Sequence, residues 1–317
     1  MMTAGKLAYA LYFRPLGTWR RIMAEGGPRE WWRTERGRRA MEEMATRLPV
    51  LPPAAGAPVE LYVLTGRKFW YQTVFCLWSF AKAAGRNVVP RIYDDGSLGE
   101  SGRDALRRHW PAARIVGFDE TCARLEQHLP RERFPFLRDR WDNYPNIRKL
   151  TDVHAGARGW KLVIDSDLLF FREPNILLDW LDDPGKPLHA LDVEKAYGYP
   201  DETMRALCGA SQLPDRLNVG LCGLRGEDID WQKLESWTRG LIERHGTHYY
   251  LEQALVAMLV AERQCTVAPE SDYVTGPRPP EAGECRAVMH HYVSGSKRWY
   301  FRDNWRRVAG PGLTGDS

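Results

Sequence analysis

Two aspartates separated by a single residue, Asp165 and Asp167, follow directly after the apolar run Trp160–Ile164. Carboxylates this close together repel each other, and they cannot be buried without a compensating cation. A divalent metal such as Mg²⁺ or Mn²⁺ supplies that charge, because hard cations prefer carboxylate and phosphate oxygens as ligands. Many Asp-x-Asp triplets are solvated turns, but one that follows a buried strand predicts a metal site. Repulsion alone also predicts that Asp167→Asn leaves the stability of the metal-free protein unchanged or raised.

A second group of candidate residues lies near the C-terminus, within residues 288–299. Neutral imidazole can complete a mixed oxygen and nitrogen coordination sphere, and a lysine can neutralise phosphate charge, so the residue types of this segment suit a metal and phosphate site. His290 precedes His291 on a predicted strand, so the two side chains point to opposite faces. Only one is expected to reach the metal, and the other is expected to be packed or hydrogen-bonded.

Strands and helices alternate along the part of the chain that must position these residues. Predicted strands cover Val59–Thr65, 87–93, 113–118 and Trp160–Ile164, and predicted helices cover 69–84, 99–109, 119–129 and 145–154. This alternation predicts an α/β fold with a mostly parallel central sheet and helices on both faces. In such sheets ligands bind outside the carboxyl ends of the strands, which is where Asp165 and Asp167 are expected.

The composition is that of an ordinary globular protein, with 44% hydrophobic and 27% charged residues. The net charge of +4 is concentrated at the N-terminus, where residues 1–40 contain nine Lys or Arg and three Asp or Glu. The rest of the chain is slightly acidic, so no nucleic-acid partner is expected for the main domain. The six cysteines form no Cys-x-x-Cys pair, which favours free thiols in a reducing compartment.

Three segments are predicted: a basic, aromatic-rich N-terminal segment with its linker (1–57), a main domain (58–310) and a tail (311–317). The first boundary follows the Pro- and Ala-rich stretch 51–58, whose composition is typical of a linker. We expect the N-terminal segment to be a helical addition packed on the main domain and dispensable for ligand binding. The open alternative is peripheral contact of residues 1–50 with a membrane, because Trp and Arg together suit a headgroup region.

No uncharged apolar run reaches the roughly 18 residues needed to span a bilayer. The longest runs are 7–13 and 254–261. Residues 7–13 are followed by Arg14 and Pro15 and lack a small-residue cleavage site, so they are not predicted to be a signal peptide. We therefore expect a cytoplasmic protein, with peripheral attachment to the inner membrane as the alternative.

The succession of His291, Gly295, Lys297 and Trp299 resembles the His–Gly–Lys–Trp signature of glycosyltransferase family 8, which includes glycogenin and bacterial lipopolysaccharide galactosyltransferases. In that family a strand-end Asp-x-Asp and this histidine coordinate the metal on a nucleotide-sugar diphosphate, and the lysine contacts phosphate. The sequence departs from the signature in two ways. Ser294 stands where the family has its glycine, and the family's proline after lysine is replaced by arginine.

The resemblance covers about residues 58–300 and implies the GT-A nucleotide-sugar transferase fold. It implies a metal-dependent transfer of a sugar from a nucleotide diphosphate to a glycan, lipid or protein acceptor. The resemblance favours a UDP-sugar as donor and retention of configuration at the transferred sugar. The implied site residues are Thr65, Arg148, Lys149, Gly295 and Lys297 for the nucleotide, Asn218 for the donor sugar, and Asp192, Glu252 and Lys297 for catalysis or the acceptor.

Two other functions remain open at this point. A nucleotidyltransferase shares the fold and a metal-binding aspartate, but it normally has a Gly-rich basic loop after its first strand. The chain has only one glycine there, Gly66. A non-catalytic nucleotide-sugar-binding protein is the other alternative. No carboxylate stands out as the general base of an inverting enzyme, although Asp192 and Glu252 are candidates.

Overall fold

The computed structural model describes residues 22–23 and 26–310. Its strands, in chain order, are β1 (Val59–Thr65), β2 (Val88–Asp94), β3 (Arg114–Val116), β4 (Trp160–Ile164), β5 (Leu168–Phe170), β6 (Leu188–Leu191), β7 (Leu217–Arg225), β8 (Thr266–Val267), β9 (Tyr273–Thr275) and β10 (Met289–His291). Trp19 and residues 311–317, which the sequence analysis assigned to the N-terminal segment and the tail, lie outside the described residues.

The helices are α1 (Pro28–Ala45), α2 (Trp70–Ala84), α3 (Glu100–His109), α4 (Phe118–His128), α5 (Pro135–Asn143), α6 (Arg148–His154), α7 (Asn175–Asp182), α8 (Asp201–Cys208), α9 (Trp231–His245), α10 (Leu251–Leu259), α11 (Glu281–Glu284), α12 (Lys297–Trp299) and α13 (Trp305–Ala309). Single 3₁₀ turns at Pro145–Ile147 and Ser294–Ser296 lead into α6 and α12, and a π-helical turn at Tyr300–Asn304 joins α12 to α13.

The main sheet has the strand order β3-β2-β1-β4-β7-β6-β8. Every neighbouring pair in it is parallel except those of β7, which runs antiparallel to both β4 and β6. A smaller sheet has the order β5-β10-β9. The predicted α/β fold with a mostly parallel central sheet is therefore confirmed, and β1 and β4 have the predicted bounds.

Helix α2 lies between the two sheets and supports the segment that joins them. The Cys76 thiol donates to the Asp165 carbonyl at 3.4 Å, and the Ser79 hydroxyl accepts from the Phe170 N–H at 3.1 Å. Phe80 packs edge-to-face on Phe170 with ring centroids 5.0 Å apart. The helix ends where Gly85 takes a left-handed conformation (φ 59°), as the glycine predicts. The Asp-x-Asp segment therefore rests on a buried helix.

Helix α1 packs into the same apolar core as the main domain. Met41, Ala45 and Leu48 are fully buried in that core. Gly37 lies so close to the backbone of the π-helical turn that a Cβ there would be 2.2 Å from the Phe301 carbonyl oxygen. The predicted division between residues 57 and 58 therefore does not coincide with a packing boundary, because the core includes residues on both sides of it.

None of the described helices combines the length and the apolar composition that crossing a bilayer requires.

Candidate active site

A cavity of about 650 Å³ opens at the edge of the main sheet where β4 and β6 end and β7 begins. Most of the residues that the sequence analysis selected line it. They are Lys149, Asp165, Asp167, Asp192, Asn218, Glu252, His291, Gly295 and Lys297. The carboxyl ends of the parallel strands thus form the predicted ligand-binding edge.

The two aspartates lie on the crossover from β4 in the main sheet to β5 in the smaller sheet. The Asp165 N–H donates to the Gly220 carbonyl at 2.8 Å, and the Tyr292 N–H donates to the Asp167 carbonyl at 3.0 Å. Strand β10 pairs with β5 so that His291 stands opposite Leu168, the residue after Asp167. Backbone pairing within the smaller sheet therefore brings the distant histidine to the aspartates.

Asp165, Asp167 and His291 form a candidate metal-binding group, in which one ligand atom from each residue lies within 4.8 Å of the others. His291 Nε2 is 3.4 Å from Asp167 Oδ1 and 3.6 Å from Asp165 Oδ2. The imidazole is buried beside Gly220, where a Cβ would lie 2.3 Å from His291 Cε1. Glycine is therefore required at position 220 for the ring to occupy this place.

Charge interactions outweigh burial at both His291 and Asp167. Burial disfavours the imidazolium, but the hydrogen bond and charge of Asp167, aided by Asp165, raise the pKa of His291. Burial likewise disfavours the Asp167 carboxylate, but the Lys297 cation and the His291 hydrogen bond lower its pKa. The metal-free site therefore favours a carboxylate beside an imidazolium.

Two lysines neutralise the aspartates in this structure. Lys149 Nζ is 2.8 Å from Asp165 Oδ1, and Lys297 Nζ is 3.0 Å from Asp167 Oδ2. Lysine side chains can therefore compensate the two carboxylates, in addition to the metal that the sequence predicts. Lys149, expected near the nucleotide, lines the cavity and forms a buried ion pair there.

Lys149 also contacts Glu252, with Nζ 3.4 Å from Oε2. Glu252 is almost completely buried, and this burial raises its pKa to about 8 despite the opposing effect of Lys149. A carboxyl group with that pKa is largely protonated at neutral pH. Glu252 is thus poorly suited to act as a carboxylate base, and its position fits a role in orienting Lys149.

A network around Asp192 forms another part of the cavity wall. Its Oδ2 accepts from Asn218 Nδ2 at 2.9 Å and from Gln253 Nε2 at 3.2 Å, and its Oδ1 accepts from the Val193 N–H at 2.8 Å. Gln253 also donates to the Ala196 carbonyl at 2.8 Å. Three donors fix the Asp192 carboxylate at the cavity wall. Gln253 was not among the predicted site residues, although it follows Glu252 directly.

His290 points away from Asp165 and Asp167, as expected because adjacent residues on a strand point to opposite faces. Its Nε2 is 2.7 Å from Glu281 Oε1, and its Nδ1 is 3.0 Å from the Tyr292 hydroxyl oxygen. It is fully buried, and burial lowers its pKa. The structure thus places His291 in the candidate metal-binding group and gives His290 hydrogen-bonding partners away from it.

Ser294 explains how the chain departs from the glycosyltransferase signature. Its φ of 47° lies in the left-handed region that favours glycine, whereas Gly295 has no positive φ. Both residues are exposed and line the cavity on the turn that leads to Lys297. The backbone conformation is therefore that of a glycine position, occupied here by a serine.

Thr65 and Arg148 do not reach the cavity. The Thr65 hydroxyl is buried 2.7 Å from the Thr73 hydroxyl. The Arg148 guanidinium lies 4.5 Å from the Trp141 ring centroid and donates to the carbonyls of Trp141 and Asp95 at 3.2 and 3.1 Å. Both side chains are engaged in contacts within the fold.

Further lining residues were not selected from the sequence. They are Tyr144, Asn146, Glu194, Tyr249, Tyr250, Arg278 and Arg298 among others. Tyr249 is 68% exposed at the rim. These residues lie on loops and helix ends, where exposed aromatic and charged side chains carry no distinctive spacing in the sequence.

No family model matches the sequence, and no curated protein matches it either. The fold is similar to that of mouse xyloside xylosyltransferase 1, with a TM-score of 0.50, 11% identity, and coverage of 76% of this chain and 99% of that one. The galactosyltransferase LgtC, solved with donor and acceptor sugar analogues, matches with a TM-score of 0.49, 13% identity, and coverage of 79% and 95%. The chain has the GT-A glycosyltransferase fold that its signature implied.

Proposed function

We propose that the protein is a metal-dependent glycosyltransferase that takes a sugar from a nucleotide diphosphate, with a UDP-sugar as the favoured donor. The observation that carries this proposal is the meeting of Asp165, Asp167, His291 and Lys297 in one cavity of a GT-A fold. Each of these side chains was selected from the sequence for the same reaction. The acceptor is a glycan, lipid or protein hydroxyl.

Asp165, Asp167 and His291 would hold the divalent metal. Two carboxylates and an imidazole suit Mn²⁺ or Mg²⁺, and the ligand atoms are already close together. When bound, the metal supplies positive charge to the leaving diphosphate. Lys149 and Lys297 pair with the same carboxylates, so these lysines and a bound metal would share the aspartates as partners.

Lys297 is the proposed catalytic residue. Its side chain is 38% exposed at the cavity, so the ammonium can leave Asp167 for a phosphate oxygen without unfolding its surroundings. A positive charge held where negative charge develops lowers the barrier to bond breaking. Lys297 thereby assists departure of the nucleoside diphosphate.

Asp192, Asn218 and Gln253 are proposed to position the donor sugar and the acceptor. The hydrogen bonds of Gln253 use its amide nitrogen, which leaves its side-chain carbonyl oxygen available to a ligand in the cavity. Asp192 already accepts three hydrogen bonds, so it orients the two amides better than it would remove a proton. Retention is the favoured course, and the exposed Glu194 is the cavity carboxylate to test as a base for inversion.

The test is a binding and product assay with a panel of nucleotide-sugars, each with Mn²⁺, with Mg²⁺ and with chelator. We expect one donor to raise the melting temperature only when metal is present, and slow hydrolysis to release a nucleoside diphosphate. A parallel assay with a nucleoside triphosphate and a sugar 1-phosphate tests the alternative, because joining the two with release of pyrophosphate would identify a nucleotidyltransferase. Binding without turnover, in the presence of any acceptor, would identify a non-catalytic protein. Glu194→Gln should remain active if the enzyme is retaining.

A further inference from the structure

A second cavity, of about 720 Å³, lies at the opposite edge of the main sheet, where β1, β2 and β3 begin. Its walls are mainly apolar. They include Val50 and Pro52 from the segment after α1, Trp78 from α2, Val88 from β2 and Trp110 from the end of α3. We call this cavity the amino-end groove. No residue proposed for sugar transfer lines it.

His109 lies in the wall of the groove and is only 8% exposed. Burial lowers the pKa of its imidazole, and a hydrogen bond with the Ala45 backbone opposes this effect. Both ring nitrogens are closed to solvent. A ligand in the groove therefore meets no polar atom of this ring, and the lining stays apolar there.

Two cationic side chains line the groove, and both are engaged within the fold. Lys82 Nζ donates to the Val308 carbonyl at 2.8 Å, and the Arg86 guanidinium forms an ion pair with Asp182. Arg47 and Arg108 are exposed on the segments that lead to the groove. An apolar groove with exposed arginines on adjoining segments is complementary to an anionic amphiphile.

The helix that leads into the groove presents a basic, aromatic face. Arg29, Trp32, Arg33 and Arg36 are exposed on one side of α1 at helical spacing, and Trp32 is 56% exposed with the Arg36 guanidinium 5.6 Å from its ring centroid. Val50, at the groove, is 51% exposed. Arginines beside an exposed tryptophan suit the headgroup region of an anionic bilayer.

We propose that α1 and the amino-end groove form a surface for an anionic membrane, and that the groove takes up an acyl chain of an anionic lipid. The arginines of α1 provide attraction to the lipid headgroups, and the groove buries apolar lipid surface that would otherwise contact water. This surface is separate from the sugar-transfer cavity and does not depend on the proposed reaction.

The first test is co-sedimentation of the full chain with vesicles of phosphatidylcholine alone or mixed with phosphatidylglycerol. We expect binding to the anionic vesicles only. Val50→Glu should weaken that binding about tenfold or more, because it places a charge in the groove at an exposed position that tolerates polarity. Val267→Glu is the matched control, since Val267 is 40% exposed on the edge strand β8, away from the groove.

Charge reversal tests the α1 face. Arg29→Glu with Arg36→Glu should abolish binding to anionic vesicles, whereas Arg158→Glu with Arg244→Glu, at exposed positions elsewhere, should weaken it far less. Equal binding to neutral vesicles, or wild-type binding by Val50→Glu, would overturn the proposal. Binding of single-stranded RNA in place of vesicles would overturn it as well. Melting curves must show that each variant is folded.

Vesicles whose acyl chains carry bromine distinguish entry into the groove from contact at its rim. Bromine quenches tryptophan fluorescence only at short range, and both Trp78 and Trp110 line the groove. Quenching should persist in Trp32→Phe and should fall in Trp110→Phe. Quenching that disappears entirely with Trp32→Phe would show that lipid touches α1 without filling the groove, and the assignment of the groove would fail.

Discussion

One cavity lies at the carboxyl ends of the main-sheet strands and the other near their amino ends. The two have similar volumes, but their linings differ in polarity and charge. The cavity at the carboxyl ends has a volume of about 650 Å³ and contains aspartates, lysines and a histidine in direct contact. The amino-end groove has a volume of about 720 Å³ and is lined mainly by Trp, Pro, Val and Ala. The first suits charged, polar ligands, and the second suits an apolar chain.

The difference follows from how each cavity is built. At the carboxyl ends, strands pass into loops and a crossover between sheets, so polar side chains converge without disturbing the core. At the amino ends, the groove is formed by helix surfaces and the chain that precedes β1, which also pack the core. Substitutions in one cavity should therefore leave the function of the other intact, and this separation can be tested.

The largest expected effect is that of Asp167→Asn. We expect at least about a hundredfold loss of metal-dependent donor affinity, because one of the three proposed metal ligands would lose its charge. The metal-free protein should also be less stable, by about 1–3 kcal/mol, because Lys297 and His291 lose a charged partner. Titration calorimetry and urea unfolding measure the two effects.

This expectation reverses the sequence-based one, in which removing Asp167 relieves repulsion. Val50→Glu is the control from the other cavity, and it should bind donor like wild type. An Asp167→Asn protein with unchanged or raised stability would show that the ion pair with Lys297 contributes little in solution. Unchanged donor affinity would remove Asp167 from the metal site.

Lys297→Ala should lower turnover by about 10²-fold, with a smaller change in thermal stability, since the side chain is partly exposed. Lys297→Arg should restore only part of the rate, because a planar fork replaces a compact charge. Lys82→Ala is the matched lysine from the groove, and it should keep full turnover. Steady-state kinetics with the preferred donor decide, and full activity of Lys297→Ala would exclude the assignment.

Glu252→Gln should change how stability depends on pH. The folded-state pKa of Glu252 is raised from 4.5 to about 8, chiefly by burial. Its protonated form thus stabilises the fold below pH 4.5, and this contribution is lost as pH rises through 8. Each pH unit between 4.5 and about 8 lowers the free energy of unfolding by up to about 1.4 kcal/mol. Urea unfolding in chelator should show that this free energy declines less steeply with pH in Glu252→Gln than in the wild type. Equal slopes for the two proteins would contradict the effect of burial on Glu252.

The strands and the metal group could be read from the sequence because they rest on local pattern. The alternation in Val59–Thr65 and the apolar run Trp160–Ile164 predict strands, and residues that follow such strands fall at a known edge of the sheet. His291 was found through its spacing to Lys297. These signals need no knowledge of which distant side chains meet.

Side-chain partners between distant elements could not be read in the same way. Thr65 pairs with Thr73, and Arg148 stacks on Trp141, so both are withdrawn from the cavity that lies beyond the strand ends. Lys149 likewise binds Asp165 across two elements. The groove was missed for another reason: the composition of residues 51–58 is that of a linker, and apolar residues lining a groove look like core residues in a sequence.

The smallest expected effect is at Ser294, on the turn before Lys297. A non-glycine residue in the left-handed region costs about 1–2 kcal/mol, and glycine costs roughly 0.5–1 kcal/mol in unfolded-chain entropy. Ser294→Gly should therefore raise the free energy of unfolding by about 0.5–1 kcal/mol, whereas Ser294→Ala, which keeps the strained φ of 47°, should not. Gly295→Ala is the matched control, because that residue has no positive φ and a Cβ there meets no atom within 4 Å. If Ser294→Gly is no more stable than Ser294→Ala, the serine is held without strain, and the turn before Lys297 does not require a glycine conformation.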